Sequence, residues 1–356
     1  MKMAINLPTK ARSWEVVKRA EEMGYDAAWF YDTGLLNAEM LAAMGASAMV
    51  TSKIKLCTGV AIPSSRVAPV MASGLATINA MSPGRVRFGV SSGYTGRRTF
   101  GLGPVKQKEM ADYIRVVQAL LRGETTEWNA EGGTHKIRFL NPELDLININ
   151  DPIPTVISAF GPKARQLAAN LGAGWIGPNT WPDREKAEID DYHAAFKAAG
   201  HKDRKPFASL IIGGRVLDDG EAPDSKLAMA QAGPYAAIVF HNIVETQDFG
   251  SVFPMGDMQF PFTAELEAYT KVYQQYQPAD ARYLSNHRGH LMFVRPEEKH
   301  INGNVIGAFT LTGPKSACIE RLKGIKQMGF DEINFHMVPG HEEDQLRRWA
   351  AVMEKV

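Results

Sequence analysis

Short apolar runs alternate with longer amphipathic stretches along most of the chain, and this alternation predicts strands and helices in turn. The strand-like runs are short, and the one at 27–31 is wholly apolar apart from its tyrosine hydroxyl. The stretches between them carry apolar residues at helical spacing, as Trp14, Val17 and Ala20 do in the first one. We predict eight strands, at residues 3–7, 27–31, 54–60, 86–90, 155–159, 174–176, 208–216 and 332–336.

A helix is predicted after each of these strands, at 14–23, 38–50, 67–80, 107–122, 163–171, 183–199, 316–328 and 343–356. Because parallel strands need crossover connections, eight such units predict an all-parallel sheet, and their number favours a closed (β/α)8 TIM barrel. The alternative is an open, doubly wound sheet with a glycine-rich turn after the first strand. That turn is Pro8-Thr9-Lys10 and has no glycine, which favours the barrel. The 356 residues suit a single barrel domain spanning 1–356.

Two stretches exceed what a minimal barrel needs, at 123–154 and, between strands seven and eight, at 219–312. The second stretch contains helical patterns at 224–244 and 264–276, and long ordered insertions on a barrel often form lids. The loop between these patterns carries Phe249, Phe253, Met255, Met258 and Phe260. These side chains form either an apolar wall over a substrate or a surface that packs the insertion onto the barrel or onto a second copy.

The charged residues, 40 basic and 39 acidic, give a formal net charge of +1. Nucleic-acid and membrane-surface binding both need a concentrated positive field, so we expect neither kind of partner. The sequence has no signal-peptide pattern and no long apolar span, from which we expect a cytoplasmic protein. Its two cysteines, Cys57 and Cys318, are interpreted as buried free thiols.

Active sites of such barrels lie at the C-terminal ends of the strands. The residues there are mostly small or hydroxyl-bearing, with no carboxylate pair typical of glycoside hydrolysis and no Gly-x-Ser-x-Gly turn. The pair His287 and His290 has no obvious third ligand, so we predict no metal site. A site without a metal or an obvious nucleophile indicates that a bound cofactor carries the chemistry.

Three sets of motifs resemble one known family. The first joins the run from Thr58 to Arg66, TGVAIPSSR, to the run from Ser82 to Gly93, SPGRVRFGVSSG. The second is SAFGPK at 158–163, and the third is LTGP at 311–314 with the helix that follows. In this order and spacing the chain resembles the bacterial luciferase-like oxidoreductases, and above all their deazaflavin-dependent methylene-tetrahydromethanopterin reductase branch.

The resemblance implies a reduced cofactor, either deazaflavin F420 or FMN, whose ring lies on a cis peptide between Gly59 and Val60. An ordinary β-bulge is the alternative for that bend. The cofactor's phosphate tail would lie at the turn that opens the fifth helix, where backbone N–H groups and the helix dipole favour anions, although a plain turn is the alternative there. The implied cofactor-binding residues are Gly59, Val60, Ala61, Ser91, Ser92, Gly93, Phe160, Gly161, Pro162, Lys163, Gly177, Pro178 and Asn179.

The candidate catalytic residues are Asp32, Tyr94 and His336. Several deazaflavin relatives have a catalytic histidine where this chain has Thr33, and the sugar-phosphate dehydrogenase branch has an acidic residue where it has Tyr94. Both departures count against that specific activity and leave only the three candidates as proton donors.

Three functions fit these observations. The first is an F420-dependent oxidoreductase that transfers hydride to or from a small organic substrate. The second is a two-component monooxygenase that uses reduced FMN supplied by a separate flavin reductase, and the third is a flavin-binding protein without turnover. The resemblance also implies a homodimer.

Overall fold

The barrel is the framework of the protein, which we describe from a computed structural model over residues 1–178, 184–201, 204–250 and 260–356. Its strands are β1 (Lys2–Leu7), β2 (Ala27–Phe30), β3 (Lys55–Thr58), β4 (Val86–Val90), β5 (Thr155–Ser158), β6 (Gly174–Pro178), β7 (Ala208–Ile212) and β8 (Glu332–His336). They close in the order β1-β8-β7-β6-β5-β4-β3-β2, and every neighbouring pair is parallel. The predicted (β/α)8 barrel is therefore confirmed.

The helices that follow the strands cover the outside of the barrel close to where the sequence predicts them. Their bounds are Ser13–Glu22, Met40–Val50, Ala68–Met81, Gln107–Leu121, Pro162–Asn170, Glu185–Ala198, Lys315–Met328 and Glu342–Met353. A short helix, Thr95–Arg98, which the pattern did not predict, lies between β4 and the fourth of these helices. Across the described ranges, no helix combines the length and the apolarity needed to cross a membrane. Cys57 and Cys318 are both free and buried, as predicted.

The N-terminal end of the barrel interior is closed by a buried ion pair. Arg87 of β4 donates to Glu332 of β8 over 2.8 Å, and the Glu332 side chain is fully buried. Trp29 Nε1 and Ser209 Oγ donate to the same carboxylate at 3.0 and 3.1 Å. Above this pair, inward-facing Ala4, Ala27, Trp29, Cys57, Val156 and Ile176 form a packed cluster. The barrel is therefore filled from below and can open only at its C-terminal end.

The predicted insertion at 123–154 contains a β-hairpin that the sequence did not predict. Strand Thr126–Ala130 pairs antiparallel with Gly133–Ile137, and a one-turn 3-10 helix, Pro142–Leu144, follows. The two loop residues, Glu131 and Gly132, have φ of 52° and 76°, which is the conformation of a type I′ turn. The dipeptide Glu-Gly is not the usual sequence of such a turn, so no local signal pointed to it.

The longer insertion has its own hydrophobic core. Its helices are Lys226–Val244, Thr246–Phe249, Thr263–Gln274, Tyr283–Asn286 and Gly303–Phe309. Buried side chains that include Phe240, Tyr269, Val305 and Phe309 pack together between them. The prediction that strand seven continues to residue 216 is wrong, since β7 ends at Ile212. The chain beyond it bonds to 311–313 through Leu311 N–H to the Gly213 carbonyl and Gly313 N–H to the Arg215 carbonyl, and a separate strand, Val216–Leu217, pairs with Gly313–Pro314.

Candidate functional site

A cavity lies at the C-terminal end of the barrel strands, with about 950 Å³ of empty space when the solvent-filled entrance is included. Inward-facing residues at or just past the strand ends form its floor and walls, because the carboxyl ends of parallel strands meet at this end of the barrel. The long insertion supplies one side of the wall. The barrel contributes Asn6, Tyr31, Asp32, Thr33, Gly59, Val60, Ser91, Gly93, Tyr94, Thr95, Ser158, Phe160 and Ile211, and the insertion contributes Tyr235, Ile238, His290 and Leu291.

Seven of the residues predicted from the sequence line this cavity: Asp32, Gly59, Val60, Ser91, Gly93, Tyr94 and Phe160. The peptide between Gly59 and Val60 is cis, as predicted. Glycine is needed at position 59 because an added Cβ would lie 2.7 Å from Trp29 Cβ and 2.8 Å from the Trp29 carbonyl carbon. The end of β3 therefore packs directly on β2 beneath the cavity.

The other predicted cofactor residues are not among the described residues that line the cavity. Ala61 bridges to Val90, the Ser92 carbonyl accepts from Val105 N–H, and Gly161 lies at the N-terminus of helix Pro162–Asn170, where Lys163 also lies. That helix begins without a side-chain hydrogen bond from its cap residue. Gly177 and Pro178 end β6, while Asn179 lies outside the described residues.

Asp32 is held by two donors. Its carboxylate accepts from Arg66 Nη1 at 2.9 and 3.0 Å and from Ile62 N–H at 3.0 Å, and Asp32 is 6% exposed. Arg66 also pairs with Glu39. The carboxylate therefore ties the segment after β2 to the segment after β3, and the Arg66 guanidinium offsets its charge at the cavity edge.

His336 is buried behind the cavity wall. Its Nε2 lies 2.8 Å from the Leu291 carbonyl oxygen, which can only accept, so Nε2 carries the proton and Nδ1 accepts from the Tyr31 hydroxyl at 2.8 Å. Burial lowers the pKa of His336 to about 4, so the ring is neutral at physiological pH. In this position His336 orients Tyr31, and it is Tyr31 that lines the cavity.

Tyr94 is half-buried, with a buried hydroxyl, between the short helix that follows it and the insertion. Burial raises the pKa of its phenol well above the ordinary value, so it stays protonated. The Arg98 guanidinium lies 4.5 Å from the centre of its ring, and the rings of His287 and His290 make edge contacts with it at 5.7 and 5.6 Å. Tyr94 therefore joins the cavity to the buried polar core of the insertion.

His287 and His290 belong to hydrogen-bond networks that leave no place for a shared metal ion. His287 Nε2 lies 2.9 Å from Glu245 Oε2, and His290 Nε2 lies 2.9 Å from Thr95 Oγ1. Within the ranges that the structure describes, no group of three or more His, Cys, Asp or Glu side chains could hold a metal.

The aromatic loop of the insertion is only partly described. Phe260 packs in the insertion core against Phe240 and Phe309, and Phe249 packs against Tyr283 and the Arg98 guanidinium. Phe253, Met255 and Met258 lie outside the described residues. Phe249 and Phe260 therefore pack within the insertion and against the short helix, and neither is among the described residues that line the cavity.

The wall carries one polar atom that a bound ligand would satisfy. Asn6 is 1% exposed, and its Oδ1 has no hydrogen-bond partner among the described residues. A buried carbonyl oxygen without a partner costs free energy, so a ligand N–H or O–H at this point is favoured. A planar ring with polar edges fits a mostly apolar cavity that presents one such acceptor.

Comparison with known proteins gives the family. The model of the luciferase-like monooxygenases matches residues 6–332. The chain belongs to this family. Among curated luciferase-like relatives, the 5,10-methylenetetrahydromethanopterin reductase of Archaeoglobus fulgidus is 28% identical over 223 residues, which is 61% of this chain and 65% of the relative. The F420-dependent glucose-6-phosphate dehydrogenase of Beutenbergia cavernae is 31% identical over 170 residues, which is 44% of this chain and 49% of the relative. The matched region thus spans from half to just under two thirds of these two proteins.

A solved structure agrees with the fold of this luciferase-like chain. An F420-dependent secondary alcohol dehydrogenase in complex with an F420–acetone adduct superposes with a TM-score of 0.67 at 18% identity, covering 100% of this chain and 99% of the other. At that identity the likeness concerns the barrel with its insertions.

Sequence reasoning missed several lining residues of this luciferase-like barrel. Asn6 had a usable signal, because it lies two residues after inward-facing Ala4 and is the polar residue of an otherwise apolar strand. Tyr235 and Ile238 had none, because the insertion brings them to the cavity from far along the chain, whereas His290 and Leu291 belong to the motif 286–293 that the sequence places over the substrate.

Proposed function

We propose that the protein is an oxidoreductase that uses coenzyme F420 to transfer hydride to or from an uncharged organic substrate. The observation that carries the proposal is the apolar cavity on Gly59 and Val60, with one unpartnered acceptor, Asn6 Oδ1, in its wall. Two further supports are membership of the luciferase-like family and the F420-dependent activities named for its relatives.

In this proposal Gly59, Val60, Ser91, Gly93 and Phe160, which line the cavity, would hold the ring. The phosphate tail extends to the uncapped N-terminus of helix Pro162–Asn170, where backbone N–H groups favour an anion. Ala61, Ser92, Gly177, Pro178 and Asn179 remain predicted contacts along this path. When bound, the cofactor supplies a ring carbon that accepts or donates hydride.

The charges of the cavity favour a neutral substrate. Within the described lining, Asp32 is the one carboxylate, Arg66 offsets it, and no lysine or arginine is present. A sugar phosphate would lack a cationic partner there. The neutral polar groups Tyr31, Thr33 and Asn37 suit a hydroxyl or a carbonyl, so we propose a secondary alcohol and its ketone as the substrate class.

The second candidate function is an FMN-dependent monooxygenase with a separate flavin reductase. Its support is the family itself, whose members are described as luciferase-like monooxygenases. In that case the same cavity would hold reduced FMN, and oxygen would be consumed.

Anaerobic fluorescence titration with oxidised and reduced F420 and FMN tests the proposal. We expect F420 to bind with a micromolar or lower Kd and FMN to bind more weakly. Val60→Trp should abolish binding by filling the cavity floor, whereas the matched control Val67→Trp, at a 51% exposed position, should not. Tight binding of reduced FMN alone would favour the monooxygenase, and binding of neither cofactor would refute both functions.

We also propose that the protein works in a reducing compartment such as the cytoplasm and that it forms a homodimer. The free, buried thiols fit that compartment. Helices Met40–Val50 and Ala68–Met81 form a shallow apolar groove with exposed Met49, Val70 and Met81, which a second copy would cover. Met49→Glu should give monomers, as measured by light scattering. The control Leu140→Glu, at a similarly exposed site on the insertion 123–154, should leave the dimer intact.

A further inference from the structure

A chain of hydrogen-bonded side chains leads from the cavity into the core of the insertion. Thr95 Oγ1, at the cavity wall, lies 2.9 Å from His290 Nε2. His290 Nδ1 lies 2.9 Å from His241 Nδ1, and His241 Nε2 lies 2.5 Å from Glu298 Oε1. His290, His241 and Glu298 are only 2–3% exposed. This series of hydrogen bonds therefore starts at the cavity and ends on the buried carboxylate of Glu298.

The carboxylate fixes where the protons lie. Glu298 accepts at both oxygens, from Arg295 Nη2 at 2.7 Å and from Arg295 N–H at 2.7 Å, so it is an ionised acceptor. His241 Nε2 must then carry a proton towards it. Arg295 Nη2 also lies 3.2 Å from His241 Nε2, but its two protons are used by Glu298 and by Tyr269 Oη at 2.7 Å.

The remaining positions follow in order. Because His241 Nε2 carries the proton of a neutral imidazole, its Nδ1 is bare and accepts from His290 Nδ1–H. His290 Nε2 is then bare and accepts from the Thr95 hydroxyl. In this arrangement the hydroxyl oxygen of Thr95, a residue that lines the cavity, keeps its lone pairs to accept a proton from a ligand.

We propose that His290, acting through the Thr95 hydroxyl, is the general base that takes the substrate's hydroxyl proton during hydride transfer. His241 and Glu298 are positioning residues that hold its tautomer, as the buried carboxylate does in a catalytic triad. The proposal rests on the proposed function, since only a reaction that moves a proton together with a hydride needs such a group.

The step balances for oxidation of a secondary alcohol. The carbinol C–H bond breaks, and both of its electrons leave with the hydrogen to the oxidised deazaflavin, which is thereby reduced. The O–H bond breaks, its proton goes to Thr95 Oγ1, and the Thr95 proton goes to His290 Nε2 as the C=O double bond forms. The cationic His290 still donates through Nδ1 to His241, whose Nε2–H faces the Glu298 carboxylate, and ketone reduction is the same sequence reversed.

The surroundings of His290 keep it in the basic form at neutral pH. Burial first, and then the nearby His287, His241, Arg295 and Arg98, lower its pKa well below that of an ordinary imidazole. The rate of alcohol oxidation should therefore be level at neutral pH and fall only as acid protonates His290. The groups that face His290 are Tyr94, Thr95 and Arg98 from the segment after β4, His241 and Glu245 from helix Lys226–Val244 and its cap, and His287, Arg295 and Glu298 from the following loops.

The tautomers are tested without any substrate. Two-bond proton–nitrogen spectra of protein labelled with 15N-histidine, assigned with His290→Gln and His241→Gln, should show a bare Nε2 on His290 and a bare Nδ1 on His241. Glu298→Gln replaces an acceptor by an amide donor and should disturb both signals. A protonated Nε2 on His290 at neutral pH would overturn the proposal.

The reaction is tested with cyclohexanol as the probe alcohol and F420 as the oxidant in single turnovers. His290→Gln should slow hydride transfer at least about 100-fold, while F420 affinity changes less than about twofold. Glu298→Gln should lower the level rate by a smaller factor and move its acid limb to lower pH, because loss of the anion makes His290 less basic. The control His135→Gln, exposed on the hairpin, should leave both rate and profile unchanged.

The two proposals fail in different ways. If wild-type protein binds no F420 or does not oxidise the probe alcohol, the proposed function or its substrate class fails, and the tautomer spectra still decide whether His290 presents a base. If the wild type turns over and His290→Gln keeps its rate, the base is another group and this inference is wrong.

Discussion

Two buried arginine–carboxylate pairs in this protein have the same chemistry and different consequences. At the barrel floor, Arg87 and Glu332 meet at 2.8 Å across the strands, with Trp29 and Ser209 as further donors. In the insertion, Arg98 and Glu245 meet at 2.9 Å, and Asn286 and His287 complete the shell of the carboxylate. At the floor, Glu332 Oε2 accepts from Arg87, whereas in the insertion Glu245 Oε2 accepts from both Arg98 and His287.

The donors around each carboxylate decide how strongly the barrel and the insertion depend on their buried arginines. Burial alone would raise the pKa of Glu245, but His287, Arg98 and Asn286 together hold it below the ordinary value. Trp29 and Ser209 both bond to Glu332 Oε1, so the loss of Arg87 would leave Oε2 without its described donor, whereas Glu245 Oε2 would keep its bond to His287 if Arg98 were lost. The barrel therefore depends on Arg87 more strictly than the insertion depends on Arg98.

The largest expected effect tests that contrast directly. Arg87→Met leaves Glu332 charged and buried, and we expect a loss of about 3–5 kcal/mol in the free energy of unfolding. Arg98→Met should cost less, about 2 kcal/mol, because Glu245 Oε2 keeps its hydrogen bond to His287 Nε2. Urea unfolding measures both, with Arg122→Met in the exposed Arg122–Glu124 pair as the control that should change little. Equal losses in the two buried variants would remove the contrast.

The next prediction concerns pH, with one histidine from each region. Burial lowers the pKa of His336 on β8 and of His300 in the insertion to about 4 in each case. Both are neutral in the folded protein and bind a proton on unfolding, so the stability they contribute is complete above about pH 6.5 and is lost as the pH falls towards 4.

Each of these histidines should account for about 3 kcal/mol of the acid-induced loss. His336→Gln and His300→Gln should each flatten the fall in unfolding free energy between pH 7 and pH 4, whatever their stability at pH 7. Exposed His135→Gln should keep the wild-type slope. Parallel curves for wild type and a buried-histidine variant would show that the ring is already charged in the fold.

The cavity floor should tolerate no added methyl group. In Gly59→Ala the new Cβ would clash with Trp29, and we expect a loss of about 1–3 kcal/mol together with weaker cofactor binding. Gly45→Ala in helix Met40–Val50 is the matched control, since its Cβ would find only Met81 Sδ at 3.8 Å. The control should gain about 0.5–1 kcal/mol by thermal unfolding. An unchanged cofactor Kd in Gly59→Ala would place the ring away from this floor.

The smallest expected effect concerns the phosphate tail. Gly161 has φ −110° and ψ 164°, an extended conformation that any residue adopts, and it caps its helix without a side-chain bond. Gly161→Asp and Gly161→Asn should both stabilise the helix, because each is a good cap. Only the aspartate should raise the F420 Kd, by about tenfold, through repulsion of the phosphate. Equal affinities in the two variants would move the tail elsewhere.

The barrel was predictable because its signals are local. Strands such as Val86–Val90 and Glu332–His336 match their predicted bounds, because the sequence pattern that predicts a strand or a helix spans only a few neighbouring residues. The hairpin at 126–137 was missed because it is polar and turns on Glu131-Gly132, and strand seven was drawn too long because its end is set by pairing with residues about 100 positions later.

The site was predictable only where the barrel builds it. Asp32, Gly59 and Tyr94 follow strand ends, so position alone brought them together. The His287-x-x-His290 spacing was noticed as a metal pattern, but the partners of His290 are Thr95 and His241, 195 and 49 residues away in sequence. Contacts over such separations leave no trace in local spacing, and for that reason the hydrogen-bond chain emerged only from the fold.

The bond between His336 Nε2 and the Leu291 carbonyl has a consequence for how this protein can diversify. It anchors a single loop, with Leu291 at φ 63°, to the rigid strand β8 at the rim of the cavity. Loops of different sequence can therefore form this part of the wall, provided that their backbone offers a carbonyl to the same histidine of β8. Exchanging the residues that flank Leu291 between related barrels, with His336 kept, should change the shape of the cavity rim and leave the barrel strands in place.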